Sequence, residues 1–202
     1  MSPTYQRKDH YYKKAKEEGL ASRAVYKLEE LDRQFHLLKA GDRVLDLGCA
    51  PGGWLQYIAK KIGPQGKAIG VDLLEVQTKF PQQVSILKGD ITREETQKIC
   101  IEKLGGEAYL IVSDMSPNLS GIRFKDNYES YLLGLNALNI AQKILKKGGN
   151  LVVKIFPGDE LAEFKKKLQE NFEEIKTHIP QATRKGSSEI YLVSQNFKRA
   201  LD

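Results

Sequence analysis

Cysteine is scarce in this sequence, which has Cys49 and Cys100 alone. The two lie far apart, and neither has a CxxC or Cys/His partner at metal-ligand spacing, so neither a disulfide framework nor a zinc site is expected, and no metal. Long apolar runs are missing too. The longest are strand-sized, too short to span a membrane. The opening stretch MSPTYQRKDHYYKKAKEEG lacks the apolar core of a secretory signal. These absences predict a cytoplasmic globular protein whose two thiols are reduced core residues.

What is present fits one packed domain: 202 residues, 41% hydrophobic and 29% charged. A net charge of +6 favours an anionic partner. Residues 1–21 read as a basic arm in which Arg7, Lys8, Lys13, Lys14 and Lys16 are interleaved with Tyr5, Tyr11 and Tyr12, and 22–202 read as a single domain. Lysines meeting phosphates and aromatics stacking on bases are what single-stranded RNA recognition uses, and residues 1–20 read equally well as a solvated tail. The loops Arg123-Phe124-Lys125 and Arg184-Lys185 offer the same residue types.

From Ser22 the spacing predicts a helix, with Val25, Leu28 and Leu31 at intervals of three, Ser22 as N-cap, and Lys27 among the apolar positions. A strand over 43–47 runs into Gly48-Cys49-Ala50-Pro51-Gly52-Gly53, and a helix follows from Trp54 to Ile62. Further strands are expected at 67–71, ending on Asp72, at 84–87, ending near Asp90, and at 108–112, stopping at Ser113-Asp114. Asp126 and Glu129 have capping-box spacing for a helix reaching about Lys147, where Gly148-Gly149 would stop it. The run 151–156 is another buried strand, Leu161, Phe164, Leu168 and Phe172 mark an amphipathic helix, and a last strand runs from Glu189 to about Val193. Alternating strands and helices predict an α/β domain, a mainly parallel sheet with helices on both faces. Ligands in such a sheet bind beyond the carboxyl ends of the strands.

Those strand ends carry the candidate chemistry. Gly48, Gly52 and Gly53 lack GxGxxG spacing, with a proline inside the turn and Asp46 before it, which disfavours a dinucleotide. Asp72 stands where a carboxylate accepts from ribose hydroxyls, and Asp90 where one can accept from an adenine amino group. Asp46 either orients the turn or meets a positive group of the ligand. Any one of these aspartates alone is better explained by a strand end or a helix cap. The ordered set describes a pocket for an adenosyl ligand without phosphates, S-adenosylmethionine.

The segments SRAVYK, DLGCAPGGW, VDLL, KGD, SDMSPN, VVKIF and SSEIYLV, in this order from Ser22 to Val193, resemble the FtsJ (RrmJ-type) family of RNA ribose 2′-O-methyltransferases. The resemblance implies a Rossmann-like methyltransferase fold and cofactor contacts at Gly52, Trp54, Asp72, Asp90 and Asp114. It also implies a catalytic set falling on Lys27, Asp114, Lys154 and Glu189.

A sulfonium methyl is already electrophilic, so the task left is to align it with a hydroxyl and remove the hydroxyl proton. Lys154 follows a buried apolar run, where a merely solvated lysine is uncommon, and takes the base role. Lys27 would supply the like-charge repulsion that frees a lysine's proton, with Asp114 and Glu189 orienting the two. Taken singly, Lys27 reads as a solvated helix lysine and Glu189 as an edge-strand charge.

Three rivals fit less well. A base N-methyltransferase would place an aromatic where Asn118 stands, cytosine C5 methylation would need a nucleophilic cysteine, and an RNA-binding module would leave the cofactor pocket unexplained. Within the family, the compact chain resembles the ribosomal-RNA members, which act on a uridine of the large subunit. Members acting on tRNA anticodon-loop riboses are similarly compact and remain the alternative. A monomer is expected.

Overall fold

A computed structural model describes residues 10–198. Along the chain run α1 (His10–Glu17), α2 (Val25–Phe35), β1 (Arg43–Leu47), α3 (Gly53–Ile62), β2 (Lys67–Asp72), β3 (Val84–Lys88) and α4 (Glu94–Leu104). Then follow β4 (Ala108–Ser113), α5 (Arg123–Ile144), β5 (Leu145–Ile155), α6 (Leu161–Asn171), β6 (Phe172–His178) and β7 (Ile190–Phe197). The strands form one sheet in the order β3-β2-β1-β4-β5-β7-β6. Strands β1 to β5 pair in parallel, and β7 lies antiparallel to both β5 and β6.

Strand residues alternate between two cores, as a pleated strand requires. Val44 and Val152 face α2 and α3, packing with Leu28, Leu31, Leu55 and Ile58. Leu45, Leu47, Leu151 and Val153 face α4, α5 and α6, packing with Leu104, Leu138, Phe164 and Leu168. The strand order reverses between β1 and β4. The crevice at that reversal opens beyond their carboxyl ends, where Gly48 and Asp114 lie. Among the described residues, no helix is long and apolar enough to cross a membrane.

The expected strands and helices of 43–113 are present within a residue or two of their expected ends. Elsewhere several details differ, among them the last strand, which runs Ile190–Phe197 and continues past Val193. Ser22 is not the N-cap of α2: Ala24 holds that place, and the Ser22 hydroxyl accepts from the Ala24 N–H one turn earlier. Asp126 and Glu129 form no capping box, because α5 begins three residues earlier, at Arg123. The Asp126 carboxylate instead turns back to accept from the Ser120 N–H and hydroxyl and the Gly121 N–H, closing the loop before the helix. At its other end α5 stops at Ile144, and the chain passes directly into β5. Phe172 leaves the helical pattern to open β6.

Part of the basic arm is ordered. Residues His10–Glu17 form α1, whose Ala15 is buried with Val25, Tyr26 and Ala182, and whose Tyr11 ring lies 5.5 Å from that of Tyr26. Tyr5, Arg7 and Lys8 lie outside the described residues.

Candidate active site

Two adjacent parallel strands deliver the first pair of charges. Ser113 of β4 is in register with Val153 of β5, which places the next residues, Asp114 and Lys154, side by side at the carboxyl edge. The Lys154 ammonium donates to the Asp114 carbonyl at 2.6 Å and pairs with Asp114 Oδ1 at 3.2 Å. Lys154 is 6% exposed. Burial by itself would raise the Asp114 carboxyl, but Lys154, Lys27 and a hydrogen bond from Tyr191 outweigh it and hold the group below its ordinary value.

The second pair comes from α2 and the start of β7. Lys27 Nζ lies 2.6 Å from Glu189 Oε1. Lys27 is 9% exposed, so it is a buried lysine rather than a solvated helix charge, and Glu189 is similarly enclosed. Between the pairs stands Tyr191, fully buried, whose hydroxyl donates to Asp114 Oδ1 at 2.6 Å and accepts from Lys27 Nζ at 3.2 Å.

The glycine turn after β1 meets this cluster from the other side. Gly48 has φ of 78°, and a Cβ there would sit 2.8 Å from Met115 Cγ and 3.1 Å from the Met115 backbone, so the turn and the chain after Asp114 touch main chain to main chain. Gly52 has φ of 111° and is faced by Val76, Thr78 and Phe80 of the loop after β2. Asp72 braces the turn: one carboxylate oxygen accepts from the Ala50 N–H and the other from the Leu74 N–H, and each keeps a lone pair for a further donor. Asp90 lies on a more open loop, where donation from the Thr92 hydroxyl and amide holds its carboxyl below the ordinary value.

A cleft of about 590 Å³ opens beside the cluster, lined by Lys27, Glu189, Ala50, Pro51, Ser116 and Phe156 among others. Arg184 and Lys185 stand on its wall. Of the four charges, Lys27 and Glu189 are on its lining, and the Tyr191 hydroxyl links Lys27 to the Asp114–Lys154 pair.

A match to the family described as FtsJ-like methyltransferase covers residues 20–197. The chain belongs to that family. A Methanothermobacter thermautotrophicus protein named ribosomal RNA large subunit methyltransferase E is 43% identical over 95% of this chain and 91% of its own length. A solved structure of a proposed ribosomal RNA methyltransferase from Plasmodium falciparum is 28% identical, with a TM-score of 0.77 over 89% of this chain and 100% of that one. The fold also matches Aeropyrum pernix fibrillarin, a structure with S-adenosyl-L-methionine natively bound, at a TM-score of 0.59 and 19% identity over 84% of this chain and 75% of that one.

In this FtsJ-like methyltransferase the four charges expected to act together, Lys27, Asp114, Lys154 and Glu189, do converge. Gly48, Gly52, Asp72 and Asp114 lie on the carboxyl-end side of the sheet, after β1, at the end of β2 and after β4. Gly53 and Trp54 are placed otherwise. A Cβ on Gly53 would lie 2.5 Å from Ser22 Oγ, and the Trp54 indole donates to the Ala24 carbonyl at 2.7 Å with its ring buried against Tyr191. Both tie α3 to the start of α2. Tyr191 was hidden in the apolar pattern of the last strand. Its only signal was a polar atom at a position that faces the core.

Proposed function

We propose that this methyltransferase uses S-adenosylmethionine to methylate a ribose 2′-hydroxyl of large-subunit ribosomal RNA, at a uridine, with Lys154 as the base. The observation that carries the reading is two lysine–carboxylate pairs, joined through one hydroxyl, one of them lining a basic-walled cleft at the sheet's reversal point.

The residues present suit the cofactor. Both oxygens of the buried Asp46 carboxylate lack a hydrogen-bond partner, and burial, reinforced by Asp114 and Asp72, pushes its carboxyl well above the ordinary range. An orphaned buried carboxyl is costly unless a donor meets it, and the amino group of a methionine moiety is such a donor. Asp72 and Asp90 retain acceptor capacity for ribose hydroxyls and an adenine amino group. Gly48 and Gly52 let the turn pack closely against Met115 and the loop after β2, which fixes its course beside the ligand crevice. Gly53 and Trp54 act indirectly, by fixing the amino end of α3.

S-adenosylmethionine supplies a methyl group on a sulfonium, an electrophile that needs no further activation. Asp114 occupies two of the three hydrogen-bonding positions on Lys154 Nζ, which leaves one for the ribose hydroxyl. Lys154 in its neutral form takes the hydroxyl proton there as the oxygen attacks the methyl carbon. Lys27, anchored by Glu189 and Tyr191, keeps its positive charge beside the developing alkoxide. Arg184 and Lys185 meet phosphates at the cleft mouth.

Two measurements test this. Mapping of 2′-O-methyl groups in RNA from cells with and without the protein loses a large-subunit ribosomal site; loss at a tRNA anticodon loop alone replaces the substrate with tRNA. Calorimetry of S-adenosylmethionine binding shows proton release and an affinity that rises with pH, because a cation facing Asp46 expels its proton. Asp46→Asn abolishes that pH dependence and weakens binding roughly 10- to 100-fold, the worth of a charge-assisted hydrogen bond. Unchanged binding in Asp46→Asn removes the carboxyl from the cofactor site.

A further inference from the structure

We infer that Tyr191 is a positioning residue of methyl transfer, its hydroxyl joining the Lys154–Asp114 pair to the Lys27–Glu189 pair and setting how firmly Asp114 holds Lys154. This rests on the reading of Lys154 as base. The phenol oxygen uses both of its functions on that set, donating to Asp114 Oδ1 at 2.6 Å and accepting from Lys27 at 3.2 Å. Neither partner is backbone. The ring contributes packing against Trp54, which a phenylalanine would supply equally.

Asp114 Oδ1 is shared, since Lys154 Nζ lies 3.2 Å from the same atom that takes the tyrosine's hydrogen bond. A donor on that oxygen competes with Lys154 for its electron density, so the lysine proton is held less tightly than by an unshared carboxylate. Burial, with Asp114 and Glu189 beside it, keeps the phenol proton far above its ordinary range, so the hydroxyl acts as a neutral donor.

The charged groups around Tyr191 come from every neighbouring element: Lys27 from α2, Asp114 after β4, Lys154 on β5 and Glu189 before β7. His178 of β6 is its cross-strand partner and is itself paired with Glu30 at 2.8 Å. The first four form the linked set, and the last is committed elsewhere.

The test replaces Tyr191 by phenylalanine and, separately, by 3,5-difluorotyrosine, a more acidic and stronger donor of nearly the same shape. The readouts are the pH profile of kcat for labelled methyl transfer to RNA, KM for RNA, cofactor affinity by calorimetry and the melting temperature. In Tyr191→Phe the unshared Asp114 grips Lys154 harder. The rising limb moves about half to one pH unit alkaline and kcat near neutrality falls about three- to tenfold, with KM and cofactor affinity within about twofold. Difluorotyrosine moves the limb the opposite way. Should Tyr191→Phe melt too readily to assay, the fluorinated protein carries the comparison. A limb unmoved in every variant that folds overturns the inference while leaving the base assignment standing. Full activity in Lys154→Ala instead removes the base reading, and this inference with it.

Discussion

Lys154→Ala lowers kcat for methyl transfer about 10²- to 10⁴-fold while S-adenosylmethionine binding is retained, the range found when a positioned general base is removed. Lys154→Arg does not restore the rate, because a guanidinium keeps its proton at any working pH. The alanine variant also strips one cation from a buried carboxylate, and breaking such a pair typically costs about 3–5 kcal/mol. Asp114 nevertheless keeps the Tyr191 hydrogen bond and the field of Lys27, so its charge is not abandoned. Lys154→Met, which fills the lysine's volume, separates the two effects: its melting temperature reports the lost pair, and single-turnover transfer reports the lost base. Transfer within about fivefold of the parent in folded Lys154→Met places the base elsewhere.

Phe164→Ala removes about 3–5 kcal/mol of stability without touching that cluster. The Phe164 side chain is fully buried, meets Tyr131 edge-to-face at 6.0 Å and lies over the bare backbone of Gly134 in α5. A Cβ on Gly134 would come within 2.9 Å of its ring, so the glycine exists as a socket for the phenyl group. Packed strands behind and α5 in front leave little room for collapse into the vacated space. For a domain of this size, differential scanning calorimetry registers a fall of about 10 °C. A change under about 2 °C means that α6 closes the cavity by re-seating on the sheet. The folded fraction of this variant keeps its kcat, since Phe164 belongs to the core on the opposite face from Lys27 and Tyr191.

The strand-to-helix rhythm of residues 43–113 is readable because each parallel strand there is a short, mostly apolar run followed closely by an acid or a glycine. The catalytic cluster was readable only as residue types at strand ends; the burial of Lys27 had no periodic signature, since α2 encloses it through contacts made by β7, far along the chain. Strand β6 carries no strand signature because Phe172 falls on the helical spacing of Leu161, Phe164 and Leu168, and because Glu174 and Lys176 give this edge strand a solvated look. Helix α1 is obscured by its polar composition, with Tyr11 and Ala15 as its packed face against Tyr26 and Val25. Asp126 misled through correct capping chemistry aimed at the wrong partner, a loop rather than its own helix.

The antiparallel course of β7 brings Tyr191 directly opposite Lys154. Because side chains alternate across a strand, a slip of one residue would send the tyrosine through to the far side of the sheet and drag Glu189 out of reach of Lys27. Apolar neighbours such as Leu192 would still find a hydrophobic layer to enter. Chemistry at the cleft therefore discriminates between two pairings that burial alone separates less sharply, and turnover becomes a stringent assay of whether the last strand has docked in register.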